Sequence, residues 1–202
     1  MTFGSNSQTN KNNSVNNIKC VGTIVETKLK TIKEGDCVKI RAKIIIQIEN
    51  TFVPFYIYCN NNFGRLYNQV LAIANNTKVF LVANLTEYGF CATYIRKTTG
   101  SEYLSITLQG HLIEDKIILH NKDDIPFEVS YFCDKTYEIE PNVKYNLSLT
   151  YKNDTVVVED VVQNESFSYL VLTNVVESGI IITDDEYEKL LRELKIVRLQ
   201  RQ

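Results

Sequence analysis

From Val38 to Glu49 the chain alternates without a break: Val38, Ile40, Ala42, Ile44, Ile46 and Ile48 fall on one parity, and Lys39, Arg41, Lys43, Ile45, Gln47 and Glu49 on the other. Successive side chains of a β-strand point to opposite faces, so the first set reads as core and the second as a surface stripe bearing three cations. A helix would scatter both sets around its circumference, which makes this segment a half-buried strand. The next segment repeats the pattern, setting Val53, Phe55 and Ile57 against Pro54, Tyr56 and Tyr58. A hairpin joining the two strands brings Tyr56 and Tyr58 onto the face of Lys39, Arg41 and Lys43.

The same period runs through most of the chain, with strands expected near 19–29, 37–49, 52–59, 78–84, 88–96 and 103–113. Between the third and fourth, Phe63, Leu66, Tyr67, Val70, Leu71 and Ala74 follow helical spacing over about three turns. Glu34-Gly35-Asp36, Asn60-Asn61-Asn62, Asn75-Asn76 and Thr98-Thr99-Gly100-Ser101 supply turn signals between the elements. Three strands, a helix and a return hairpin is the order of a five-stranded OB-type barrel, with 78–84 and 88–96 read as a long fourth strand and its hairpin loop.

Beyond Glu114, strands are expected at 127–133, 144–151, 154–162 and 167–175, with Lys152-Asn153-Asp154 as a tight turn between two of them. No internal repeat is visible, and the remaining length is short for a second full barrel plus a terminal helix. A smaller β-rich module is expected. Thr183-Asp184-Asp185-Glu186 has the form of a capping box, and Tyr187, Leu190, Leu191, Leu194 and Val197 make one apolar stripe behind it, predicting a helix over 184–200. The expected fold class is thus mainly β: an OB-type barrel, a smaller β-rich module and a C-terminal helix. The organisation expected is a disordered arm at 1–18, rich in Ser, Asn, Gln and Thr, a barrel domain at 19–115, and an acidic module at 116–202.

Charge divides along the same line. The net charge of -2 conceals 12 Lys/Arg against 8 Asp/Glu in residues 1–115 and 10 against 16 in residues 116–202. A basic first part suits a polyanionic partner, and the acidic second part suits a different one, such as replication proteins. The start lacks the basic and apolar runs of a signal peptide, and no stretch approaches a membrane span, so an intracellular, cytoplasmic protein that contacts no membrane is expected. Cys20, Cys37, Cys59, Cys91 and Cys133 are widely spaced without a Cys-x-x-Cys pair, and read as reduced thiols in a reducing compartment, with no metal site. His111 and His120 read as satisfied strand and loop residues. The abundance of Asn, Lys, Ile and Tyr reads as the codon usage of an AT-rich genome, of phage or plasmid type.

Sequence-tolerant binding of single strands needs cations that follow the phosphates and aromatic faces on which unstacked bases rest. Lys39, Arg41, Lys43, Tyr56 and Tyr58 offer both on the strands that form the ligand face of an OB barrel. Lys28, Lys30 and Lys33 are placed in the turn after the first strand, and Tyr88, Phe90, Tyr94, Arg96 and Lys97 around the hairpin between the fourth and fifth. Catalysis has little support: the eight glycines form no phosphate loop, no nucleophile elbow or His-x-Glu motif occurs, and of the acid pairs Asp123-Asp124 and Asp184-Asp185 that could hold Mg²⁺, the second opens a helix where acids are expected anyway. The expected protein is a cofactor-free binder of single-stranded DNA or RNA acting in replication, recombination or repair, with a homo-oligomer allowed. The rival expectation is an OB barrel that binds a partner protein in a viral or replication complex.

Residues 19–115 resemble the bacterial single-stranded DNA-binding (SSB) family, in element order, in the opening Lys19-Cys20-Val21-Gly22-Thr23-Ile24-Val25 and in the closing Tyr103-Leu104-Ser105-Ile106-Thr107-Leu108-Gln109-Gly110. The chain has no tryptophan, so the resemblance implies that tyrosines and Phe90 take over base stacking. It also implies a partner-recruiting tail ending Asp-Asp-x-Pro-Phe. Asp123-Asp124-Ile125-Pro126-Phe127 has that form but is internal, lacks the terminal carboxylate, and reads first as a linker whose Pro126 opens the next strand.

Overall fold

The structure, a computed structural model, describes residues 16–34, 37–59, 64–158 and 161–200, and their side chains except at 31–34, 37–40, 58, 59, 154–158 and 161–167. Residues 1–15 of the expected arm, Gly35-Asp36, Asn60-Asn61-Asn62 and Phe63 lie outside the described residues. Strand β1 (Asn16–Glu34) begins inside the span assigned to the arm, because Asn16 is tied down. Its side chain donates to the Leu85 carbonyl at 2.7 Å and accepts from the Leu85 amide at 2.8 Å.

Strands β2 (Cys37–Ile48) and β3 (Thr51–Cys59), helix α1 (Gly64–Leu71), and strands β4 (Lys78–Thr86) and β5 (Gly89–Lys97) follow. They close a ring: β1 pairs with β2 and β4, β2 with β3, β4 with β5, and β3 meets β5 in parallel at Tyr56 and Cys91. This is an OB-type barrel. Ile24, Ala42, Ile44, Ile46, Val53, Phe55, Ile57 and Leu81 are all at 0% exposure inside it, so the parity read from the sequence is the parity of the core. Burying each large aliphatic side chain is worth about 1.5–3 kcal/mol, and a one-residue slip would turn them all outward. Helix α1 is shorter than the expected three turns and seats Leu66 and Val70 on the barrel. The fifth strand of the ring is β5: residues 78–84 and 88–96 are two strands of it, joined by a tight turn, and not one long strand with a loop.

The chain continues through β6 (Tyr103–Ile113), β7 (Lys116–His120), β8 (Pro126–Ser130), β9 (Val143–Val158), β10 (Val161–Ile181) and helix α2 (Asp184–Gln200). These strands repeat the connectivity of the first ring: β6 pairs with β7 and β9, β7 with β8, β9 with β10. A parallel bridge from Phe132 to Val171 closes it. The correspondence extends to single residues. In the first ring the β4–β5 register skips Thr93, whose hydroxyl donates to the Val82 carbonyl at 3.2 Å. In the second the β9–β10 register skips Thr173, whose hydroxyl donates to the Ser148 carbonyl at 2.9 Å. Gly22 of β1 and Gly110 of β6 each lie where an added Cβ would sit 2.5 Å from a carbonyl oxygen of the neighbouring second strand, Gln47 or Ile118. The two rings join where β1 pairs antiparallel with β6, Ile18 opposite Ile106.

A ring fits into the shorter second part because it economises on chain. Its first strand is β6, a two-residue turn at Glu114-Asp115 stands in place of the long β1–β2 hairpin, and no helix separates its third and fourth strands. The expected turn at Lys152-Asn153-Asp154 is continuous β9 instead. Asn153 bridges outward, accepting from the Phe52 amide at 2.8 Å and donating to Ser168 Oγ at 2.7 Å. Phe127 of the internal acidic segment is 1% exposed, so it is core and Pro126 opens β8. The capping box forms, with Glu186 accepting from the Thr183 amide at 2.9 Å and donating its own amide to the Thr183 hydroxyl at 3.3 Å.

His111, on β6, is 1% exposed, and its Nδ1 has no hydrogen-bond partner among the described residues. Burial, reinforced by the Lys144 charge, lowers its pKa to about 4. The folded state therefore holds it neutral where the unfolded chain would protonate it, and stability drains as pH falls from about 6.5 towards 4. Denaturant titrations should show the protein losing roughly 2 kcal/mol more between pH 7 and pH 5 than His111→Leu does. Equal losses in both would contradict this.

Candidate nucleic-acid interface

β1 and β2 run past the barrel as a hairpin whose final described pair is Glu34 with Cys37. Lys28, Lys30 and Lys33 are thus strand residues, not turn residues. Across this hairpin Lys28 faces Lys43 and Lys30 faces Arg41, two like-charged rungs on the outer face. Cations directly opposite one another on a sheet repel, at a cost on the order of 1 kcal/mol per pair in water. Lys28 has a partner in Glu26 at 2.7 Å, but both side chains are well exposed and the pair is screened. A polyanion laid along the hairpin would relieve the repulsion.

The rungs continue onto β3, where Lys43 pairs with Tyr56 and Arg41 with Tyr58. The Arg41 guanidinium lies over the Tyr56 ring, 3.7 Å from its centroid, in a cation–π contact that holds the ring on the surface. Gly89 opens β5 with φ at +105°, and a Cβ there would sit 3.1 Å from Tyr56 Cε2, so a glycine satisfies both the backbone and the approach of the ring. Tyr88, 65% exposed, stands at the same turn, which is held by the Thr86 hydroxyl donating to the Gly89 carbonyl at 3.0 Å. Tyr56, Tyr88 and Pro54 line a groove together with Tyr151 and Tyr169 of the second ring.

Not every expected site residue belongs to this face. Lys33 pairs with Val38, on the parity opposite Lys28 and Lys30, whereas Lys39 and Tyr58 keep the parity of Arg41 and Tyr56; the side chains of Lys33, Lys39 and Tyr58 lie outside those described. Phe90 is 4% exposed, sandwiched between Phe55 at 5.7 Å and Tyr151 at 5.6 Å between centroids, so it is packing and cannot stack a base. Tyr94, Arg96 and Lys97 are exposed but run along β5 away from its opening turn, which puts Arg96 about 25 Å from Tyr88 at strand rise. There Tyr94 and Arg96 pack on Phe80, on the far part of the barrel wall. Tyr151 and Tyr169 line the groove without standing among the residues expected from the sequence; the alternation of Val143, Tyr145, Leu147 and Leu149, which ends on Tyr151, is the signal that points to the first of them.

Among the described residues no group of His, Cys, Asp or Glu is arranged to hold a metal ion. Burial raises the Cys91 thiol above its ordinary value, with the Arg41 charge opposing, and burial pushes Cys20 up to about 12, so neither is a ready nucleophile. Gly89→Ala should cost about 1–2 kcal/mol in urea denaturation, since it strains a left-handed position and displaces Tyr56, whereas Gly64→Ala, with open space around it, should not destabilise. Equal effects would contradict the contact.

No protein-family model and no curated protein matches the chain by sequence. Its fold is similar to solved structures of the single-stranded DNA-binding protein from Thermus aquaticus. The wild-type protein aligns with a TM-score of 0.54 and 7% identity, over 85% of this chain and 96% of that one. A deletion mutant of the same protein aligns with a TM-score of 0.47 and 9% identity, over 85% and 98%. At such identity the likeness is one of fold.

Proposed function

We propose that this protein is a non-catalytic binder of single-stranded DNA, serving replication, recombination or repair, and that the outer face of the β1–β2–β3 sheet is its binding surface. The observation that carries the reading is the pair of like-charged rungs, Lys28 with Lys43 and Lys30 with Arg41, set beside Tyr56 under the Arg41 guanidinium. Cations held opposite one another along the hairpin, next to tyrosine rings, are the two ingredients of sequence-tolerant single-strand binding. Lys39 and Tyr58, on the strand parity of Arg41 and Tyr56, extend the proposal along the hairpin, and Lys33, whose register partner is Val38 on the opposite parity, does not enter it. The fold shared with a single-stranded DNA-binding protein supports it.

Binding of fluorescent oligo-dT across a salt series tests the reading. The affinity should fall steeply with salt, and replacing Lys28, Lys30, Arg41 and Lys43 together by Ala should flatten the log–log slope by about 3. Tyr56→Ala should weaken binding by about 1–3 kcal/mol and leave the slope alone. Oligo-U in the same titration decides between DNA and RNA. Absence of binding at low salt would sink the proposal in favour of a protein-binding module, for which helix α2 offers Ile196 and Leu199, 55% and 64% exposed.

A further inference from the structure

Tyr56 and Phe132 occupy the same place in the two rings. Each makes the parallel bridge that closes its barrel, Tyr56 to Cys91 and Phe132 to Val171. Tyr56 carries Arg41 on its face; Phe132 is 55% exposed and stands edge-to-face on Tyr169, with centroids 6.2 Å apart. Tyr169 in turn lines the groove that Tyr56 and Tyr88 enter from the first ring. Aromatic side chains thus run from the cationic hairpin across the inter-ring groove and out to Phe132.

The second ring keeps the aromatic position but not the cations. Where the first ring extends its basic hairpin, the second turns at Glu114-Asp115. The outer face of β7–β8 is also covered: Leu190 and Leu194 of α2 pack on Ile118, and Arg198 is bound to Glu128, its Nε 2.8 Å from the carboxylate. A strand leaving the first ring therefore meets stacking surface in the groove and at Phe132, and helix beyond it.

We propose that the groove, together with Phe132 on the edge of Tyr169, is a second, stacking-only subsite for the same strand, in which Tyr151, Tyr169 and Phe132 take unpaired bases beyond those held on the hairpin, and that α2 closes the rest of the second ring to it. This rests on the reading of the hairpin face as a single-strand binding surface. The occupant is nucleic acid because the groove opens directly from that face through Tyr56.

The test uses the full chain and two lengths of oligo-dT, about 8 and about 20 nucleotides, the first within and the second beyond the span one OB barrel occupies. Wild type should bind the longer oligomer more tightly than added length alone explains. Tyr169→Ala and Phe132→Ala should each weaken the longer complex by about tenfold, leave the shorter one unchanged, and keep the salt slope of both. Tyr169→Phe, which retains the ring, should keep wild-type binding of both lengths. Should Phe132→Ala fail to fold, Tyr169→Ala alone carries the test. If both alanine variants bind the longer oligomer as wild type does, or lose the short one equally, the subsite is overturned while the hairpin reading stands. If wild type binds neither length, the hairpin reading fails and the subsite with it.

Discussion

Strand β1 is held on three sides. Its first residues are bonded at once to β4 and to β6, and from Thr23 onward it pairs with β2. Ring closure, the junction between rings and the reach of the basic hairpin all depend on this one strand keeping its register. Two local features make that possible. Gly22 lets the neighbouring chain approach where a Cβ would collide with Gln47, Ile46 and Ile48, and the irregularity between Ile24 and Glu26 re-phases the strand as it leaves the barrel. Before it, Ile24 points into the core; after it, Glu26 and Lys28 share the outer face with Ile45 and Lys43.

The two rings have the same connectivity and opposite electrostatics. In the first, the loop between first and second strands has grown into a hairpin carrying Lys28, Lys30, Arg41 and Lys43. In the second, that loop has contracted to two acidic residues, and the corresponding face is occupied by α2 through Leu190, Leu194 and the Arg198–Glu128 pair. One architecture therefore yields a cationic outer surface in the first ring and one sealed by the chain's own helix in the second. The charge asymmetry along the sequence is the one-dimensional trace of this division.

What was legible in the sequence was local. The parity of Ala42 to Ile48 and Val53 to Ile57 defined the core face of β2 and β3 because both segments are buried on one side and wet on the other. The Thr183 to Glu186 cap was equally local. Pairings between distant strands were not: nothing in Tyr103 to Ile113 announces that it serves as the first strand of another ring. The bulge at Thr93 explains the mixed outcome on β5, since it shifts parity between Phe90, which goes inside, and Tyr94, which stays out. Lys152-Asn153-Asp154 has turn composition, yet Asn153 spends its amide on Phe52 and Ser168 within a strand.

The central claim is that a single strand lies along the β1–β2–β3 face, and photocrosslinking with 5-iodouracil-substituted oligo-dT, mapped by mass spectrometry, tests it most directly. The account predicts adducts at Tyr56 and Tyr88. Adducts confined to Tyr94 or to helix α2, with none on the hairpin face, would contradict it.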